Sequence, residues 1–65
     1  MRAARLVEER IASGAYAPGQ RLNIGLIADE LGVERGTVSR GMRVLADKGL
    51  VRFWAGLGWH VTGDG

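Results

Sequence analysis

The chain predicts a mainly α-helical domain closed by a small β-hairpin, and three features of its 65 residues point there. Apolar side chains recur at helical spacing in three successive segments. Glycines, and one Pro-Gly pair, punctuate the gaps between them. Two short alternating runs rich in strand-forming residues follow the last helical segment.

The first helix is expected over Arg2 to Ser13. Leu6, Val7 and Ile11 make a narrow apolar stripe that Ala3 extends, while Arg5, Glu8, Glu9 and Arg10 face water. Glu9, next to Arg10 and one turn from Arg5, makes that outer face partly paired. Gly14 stops the helix. Pro18-Gly19 fits a type II turn, because proline fixes φ at the second position and glycine supplies a positive φ at the third. Gln20-Arg21-Leu22 is extended and short enough to be one strand of a small sheet. Asn23 is a good N-cap for a second helix, Ile24 to Leu31, whose apolar positions are Ile24, Ile27, Ala28 and Leu31. Asp29 and Glu30 fall on its outer side as solubilising charge.

Gly32 then takes the left-handed conformation that ends a helix and opens a tight turn, with Val33 as the apolar plug of that turn. A third helix begins at Arg35. Val38, Gly41, Met42 and Leu45 share one face, and Gly36, Ser39, Arg40 and Arg43 the opposite one, with Arg35 at the N-terminal rim. Lys48-Gly49 ends it, lysine at the negative end of the helix dipole and glycine just beyond. Leu50 to Trp54 and Gly58 to Thr62 are the two strands, joined by Ala55-Gly56-Leu57 at the tip, with Trp54 and Trp59 expected to stack across the hairpin.

Helix, loop, helix, turn, helix, hairpin is the order of a winged helix-turn-helix: three helices plus a two-stranded wing. Residues 1–62 form this single domain, and residues 63–65 a tail or the start of a linker. The expected core is Leu6, Val7, Ile11, Leu22, Ile27, Leu31, Val33, Val38, Met42, Leu45, Leu50, Phe53 and Val61.

Composition narrows the function. A chain this short hides only about 60% of its unfolded surface, so its core is small. It has no cysteine, and therefore neither a disulfide nor a thiolate metal site. No apolar run is long enough to span a bilayer and no signal-peptide pattern opens the chain, so a soluble, cytoplasmic protein is expected. His60 is the one histidine, too isolated to hold a metal; no metal or other cofactor is expected. An enzyme is disfavoured as well. There is no nucleophile–base pair, and Gly56-x-Gly58 lacks the strand–helix setting of a nucleotide loop.

The formal charge is only +2, yet eight of the nine basic residues are arginine. A GC-rich genome produces the same enrichment, so weight rests on where the arginines fall. The outward face of the third helix carries guanidinium forks suited to phosphates and guanine edges, with a bare glycine where backbones approach closely. Double-stranded DNA is the expected partner. Arg35 is expected to grip a guanine or a phosphate, Thr37 and Ser39 to offer hydroxyls, and Arg40 to follow on the same face. Arg43, a turn further on, is as well placed for a backbone contact or plain solvation as for base reading. Gly36 gives close approach. Asn23 and the amides after it start a helix where a phosphate can sit. Gly56 and Gly58 put a flexible tip near the minor groove or flanking phosphates. The competing reading is a winged-helix module that docks on proteins without specific DNA binding.

The chain also resembles the DNA-binding domain of the GntR family of bacterial transcription regulators. The residues carrying the likeness are Ile11-x-Ser13-Gly14, Pro18-Gly19-x-x-Leu22, Ala28-x-x-Leu31-Gly32-Val33-x-Arg35-x-Thr37-Val38, Leu45-x-x-x-Gly49-Leu50-Val51 and Gly56-x-Gly58-x-x-Val61. The likeness covers about Ile11 to Val61. It implies a regulator, more often a repressor, that binds a palindromic operator as a homodimer. In that family a further C-terminal domain senses an effector and supplies most of the dimer contact. No such region is present in this chain, which the resemblance therefore makes an excised domain or a truncated relative. Three departures stand out. Asn23-Ile24-Gly25-Leu26 carries no basic side chain where family members often place a DNA-contacting arginine. Glu34 stands where serine or threonine usually caps the third helix, and its carboxylate either repels a phosphate or accepts from a cytosine amino group. Gly36 and Ser39 replace the more usual threonine and arginine.

Overall fold

A computed structural model describes residues 2–63 of the chain. The elements run α1 (Arg2–Ser13), β1 (Arg21–Leu22), α2 (Ile24–Leu31), α3 (Arg35–Asp47), β2 (Val51–Trp54) and β3 (Gly58–Val61). This is a winged helix-turn-helix. The expected tail or linker falls, at residues 64 and 65, outside the described residues.

Each boundary has a local cause. The Asn23 side chain accepts from the Leu26 amide at 3.1 Å and caps α2. At the other end of α2, Gly32 is left-handed (φ 68°) and the Val33 amide donates back to the Ala28 carbonyl at 3.0 Å. α3 starts at Glu34, whose side chain makes no capping bond. It ends through Leu50 donating to the Leu45 carbonyl, with Gly49 at φ 79°. The Ala17–Gln20 bond at 3.0 Å closes the Pro18-Gly19 turn.

The sheet is antiparallel in the order β1-β3-β2. The wing hairpin is thus widened by the two-residue strand β1, clamped by the Val61 amide to the Gln20 carbonyl at 2.8 Å and by the Gly19 amide to the Val61 carbonyl at 3.0 Å. Val51 pairs with Val61 and Phe53 with Trp59 on one face of the sheet; Arg52 pairs with His60 on the other.

Val7, Leu22, Ile27, Val38, Met42, Leu45 and Val61 are buried as expected, and Ile11, Leu31 and Leu50 are half-buried against them. Three expected core residues lie elsewhere. Leu6 is only half-buried, because α1 and α3 cross too closely for a large side chain. A Cβ on Gly41 would stand 3.0 Å from the Ala4 amide nitrogen. The buried stripe of α1 is therefore Ala3, Ala4 and Val7, and Leu6 turns to its flank. Val33 is exposed, its backbone rather than its side chain closing the turn. Phe53 is 60% exposed, since the sheet outruns the helical core two residues past buried Val51. Trp54 and Trp59 do not stack. Their alternation puts them on opposite faces, where Trp59 meets the Phe53 ring edge-on at 5.3 Å and Trp54 stacks on His60 at 6.0 Å.

The charge pairing also differs from expectation. Arg10 bonds Tyr16 and Glu30, while Glu8 pairs with Lys48 at 3.1 Å. The Tyr16 hydroxyl and then the Glu30 carboxylate hold the Arg10 guanidinium above its ordinary pKa. Glu30 is thus a tie from α2 to α1 as well as solubilising charge.

Candidate nucleic-acid interface

α3 presents two unlike faces. Val38, Gly41, Met42 and Leu45 are buried, with Met42 and Leu45 fully closed to solvent. That inward face fixes the rotation of the helix, and the rotation turns Arg35, Gly36, Arg40 and Arg43 to solvent, with Thr37 and Ser39 half-buried at the margins. The hydrophobic pattern therefore aims the polar one. Neither Arg35, Arg40 nor Arg43 forms an ion pair among the described residues, where the pairs are Glu8 with Lys48 and Glu30 with Arg10. Pairing of Arg35 with Glu34 or Glu30, the bland alternative for that residue, does not occur.

The arginines are not equivalent. Arg40 curls back along its own helix, donating to the Thr37 hydroxyl at 3.3 Å. A Cβ on Gly36 would lie 3.7 Å from its Nη1, so glycine leaves that flank of the helix low. Arg35 instead reaches away from α3 and lies across the first turn of α2. There a Cβ on Gly25 would stand 2.9 Å from its Nη2 and 3.1 Å from its Cζ. The missing side chain at Gly25 is the seat of the guanidinium.

Between the start of α2, the head of α3 and the tip end of the wing strands lies an open cleft of about 500 Å³, bordered by Arg21, Asn23, Gly25, Arg35, Ser39 and Gly58 among others. Four expected site residues meet there: Asn23, Arg35, Ser39 and Gly58. A neighbouring concavity of about 400 Å³ joins Ser39 and Arg43 to Phe53 and Trp59 of the wing. Gly36, Thr37 and Arg40 lie outside both, on the open side of α3, and Gly56 stands at the hairpin tip. The tip turn is closed by the Leu57 amide on the Trp54 carbonyl at 3.0 Å, and it requires Gly56 at φ 83°.

Two cleft residues escaped sequence reasoning. Arg21 sits on a strand too short to show a period, and only its place beside buried Leu22 signals that it faces outward. Gly25 has no local signal, because its importance is set by a side chain ten positions away. The start of α2 carries no basic side chain of its own, but Arg21 and Arg35, one from each neighbouring segment, border the same cleft.

Chemically, the arrangement offers guanidinium donors, two hydroxyls and the free amides of a capped helix start, on a convex helix flanked by a wing. Among the described residues no group of acids and histidines can hold a metal ion. No helix of the described residues is long and apolar enough to cross a membrane.

A family model described as bacterial regulatory proteins, gntR family, matches residues 1–61. No curated protein matches the chain, and no solved structure does.

Proposed function

The chain belongs to the gntR family of bacterial regulatory proteins, whose domain of this kind serves DNA-binding transcription regulation, and from that premise we propose that it reads a specific double-stranded DNA sequence as a repressor. In this reading α3 enters the major groove. Arg35 and Arg40 contact bases or phosphates, Thr37, Ser39 and Arg43 hold the flanks, and Gly36 permits close approach. Asn23 with the amides behind it takes a backbone phosphate, and Gly56 and Gly58 carry the wing to the adjoining strand. The domain acts by binding rather than catalysis, without a cofactor, in the cytoplasm. Its operator is palindromic, and the two-fold spacing comes from dimer contacts made by a region outside this chain, where an effector would also be sensed.

The observation that carries the reading is the unpaired arginine face of α3, turned outward by a fully buried apolar face. An amide-resolved NMR titration with a short duplex, at low and moderate salt, tests it. Shifts should concentrate at residues 35–43, 23–26 and 55–58. Affinity should fall with salt by about 0.9 log units per log unit for each phosphate neutralised. Amides that stay still at low salt would refute it and favour the protein-docking alternative.

A further inference from the structure

The sheet has a second polar face, on the side away from the helices, and it is not used by the reading above. Arg52 pairs in register with His60, and His60 with Arg21, so three basic side chains lie in one row across the three strands. Adjacent strands stand about 4.8 Å apart, so Arg21 and Arg52 flank the imidazole from either side. Among the described residues no carboxylate forms an ion pair with Arg21 or Arg52. The two concavities on this face, about 490 and 280 Å³, are bordered by Gly19, Arg21, Trp54, Leu57 and His60, and by Arg52, Trp54, His60, Thr62 and Gly63. The stacked Trp54–His60 rings stand between them. Trp54 and Leu57 remain 51% and 64% exposed. Apolar anchors set among unpaired arginines are the make-up of a protein-binding hot spot.

We propose that this outer face of the wing sheet docks an acidic protein segment, its carboxylates on Arg52, His60 and Arg21 and an apolar side chain against Trp54 and Leu57. Charge complementarity selects the occupant: Arg21 and Arg52, without an ion pair among the described residues, attract carboxylates. Geometry argues against nucleic acid. The face is turned away from α3, so a duplex laid along that helix is screened by the sheet, and His60 already covers one face of the Trp54 indole on which a base would stack. The inference does not depend on the DNA reading, because α3 and its arginines take no part in it. Arg21, at the sheet edge, borders both regions, and Leu57 belongs to the wing tip that the DNA reading also uses.

The test uses the whole 65-residue chain, isotope-labelled, with the acetylated pentapeptide amide Glu-Glu-Leu-Glu-Glu as probe. Saturable shifts are expected at Arg52, Trp54, Leu57 and His60, and none from the lysine counterpart of the peptide. Arg52→Glu should weaken the peptide about tenfold or more, the factor expected for a lost charge-assisted bond. Trp54→Ala should do so without altering charge. Duplex DNA, which the DNA reading brings to the wing tip at residues 55–58, should leave the Arg52 and His60 amides still and should not compete with the peptide. No shifts with the peptide, or equal binding by the Arg52→Glu chain, would overturn the proposal. So would stronger binding of single-stranded oligothymidylate on the same amides, or competition by the duplex, either of which assigns the face to nucleic acid.

Discussion

Gly25→Ala should make the domain more stable and a worse DNA binder, two effects of opposite sign from one methyl group. The position lies in the first turn of α2, where alanine is the better helix former; half of the full glycine penalty is ~0.5 kcal/mol. For a domain of this size that is a rise of about 2–4 °C in Tm. The added Cβ would meet the Arg35 guanidinium at 2.9–3.2 Å, well inside the ~3.5–4.0 Å of a comfortable contact. The clash is with the free end of a flexible side chain, so the guanidinium swings away at little cost to folding. What is lost is its seat beside Arg21 and the start of α2. A base or phosphate contact from such a group carries ~1–3 kcal/mol; displaced rather than deleted, it should cost about 1 kcal/mol, a fivefold weakening. Fluorescence anisotropy with a labelled duplex reads the binding, and thermal denaturation the stability. The decisive arm is the double-mutant cycle with Arg35→Ala. If Gly25 acts through Arg35, adding Gly25→Ala to Arg35→Ala should change binding no further, while the Tm gain persists. Equal weakening in both backgrounds, or unchanged binding in the native one, would refute the account of the seat.

Three other substitutions probe separate parts of the same argument. Gly41→Val places carbon against the Ala4 backbone, which cannot rotate away, and should cost ~1–3 kcal/mol, read as a fall in Tm. An unchanged Tm would mean that α1 and α3 do not cross this closely. Thr62→Val removes a buried hydroxyl without a hydrogen-bond partner, keeps the shape, and should raise the urea midpoint by ~1 kcal/mol of stability. A drop instead would reveal a bond that hydroxyl makes in solution. Glu34→Ser supplies the missing cap of α3, ~0.5–1 kcal/mol of stability, and removes a carboxylate from the helix end that the proposed complex sets against phosphates. Duplex affinity should rise with it; a fall would assign Glu34 to base reading.

The elements were legible because their signals are local. Asn23 caps, Gly32 turns and Gly49 stops by chemistry contained within a few residues, and the helical period of α3 carries its own rotation. Misplacements came where two elements meet. Leu6 follows the period of α1 as well as Ala4 does, but only the closeness of α3 at Gly41 decides that the smaller residue goes inward. Phe53 alternates in phase with Val51; how far the helices reach beneath the strand is not written in the strand. The two tryptophans looked like partners by composition. Counting residues around the three-residue tip shows that Trp54 faces Gly58 and Trp59 faces Phe53.

The same distinction explains which part of the candidate site was readable. The arginine face of α3 follows from periodicity within one helix. The cleft does not, because it is assembled from β1, the start of α2, the head of α3 and the tip end of the wing strands. Its key feature is an absence: at Gly25 no side chain stands, and a guanidinium from the next helix lies in that space. Sequence alone presents Asn23-Ile24-Gly25-Leu26 as a stretch without the basic side chain that the family resemblance leads one to expect. In space the start of α2 is bordered by Arg21 and Arg35, so the cleft keeps basic side chains without one of its own there. In this chain the space left by the glycine is the space the Arg35 guanidinium fills. Reintroducing a basic residue by Gly25→Arg should consequently displace the native arginine before it adds affinity.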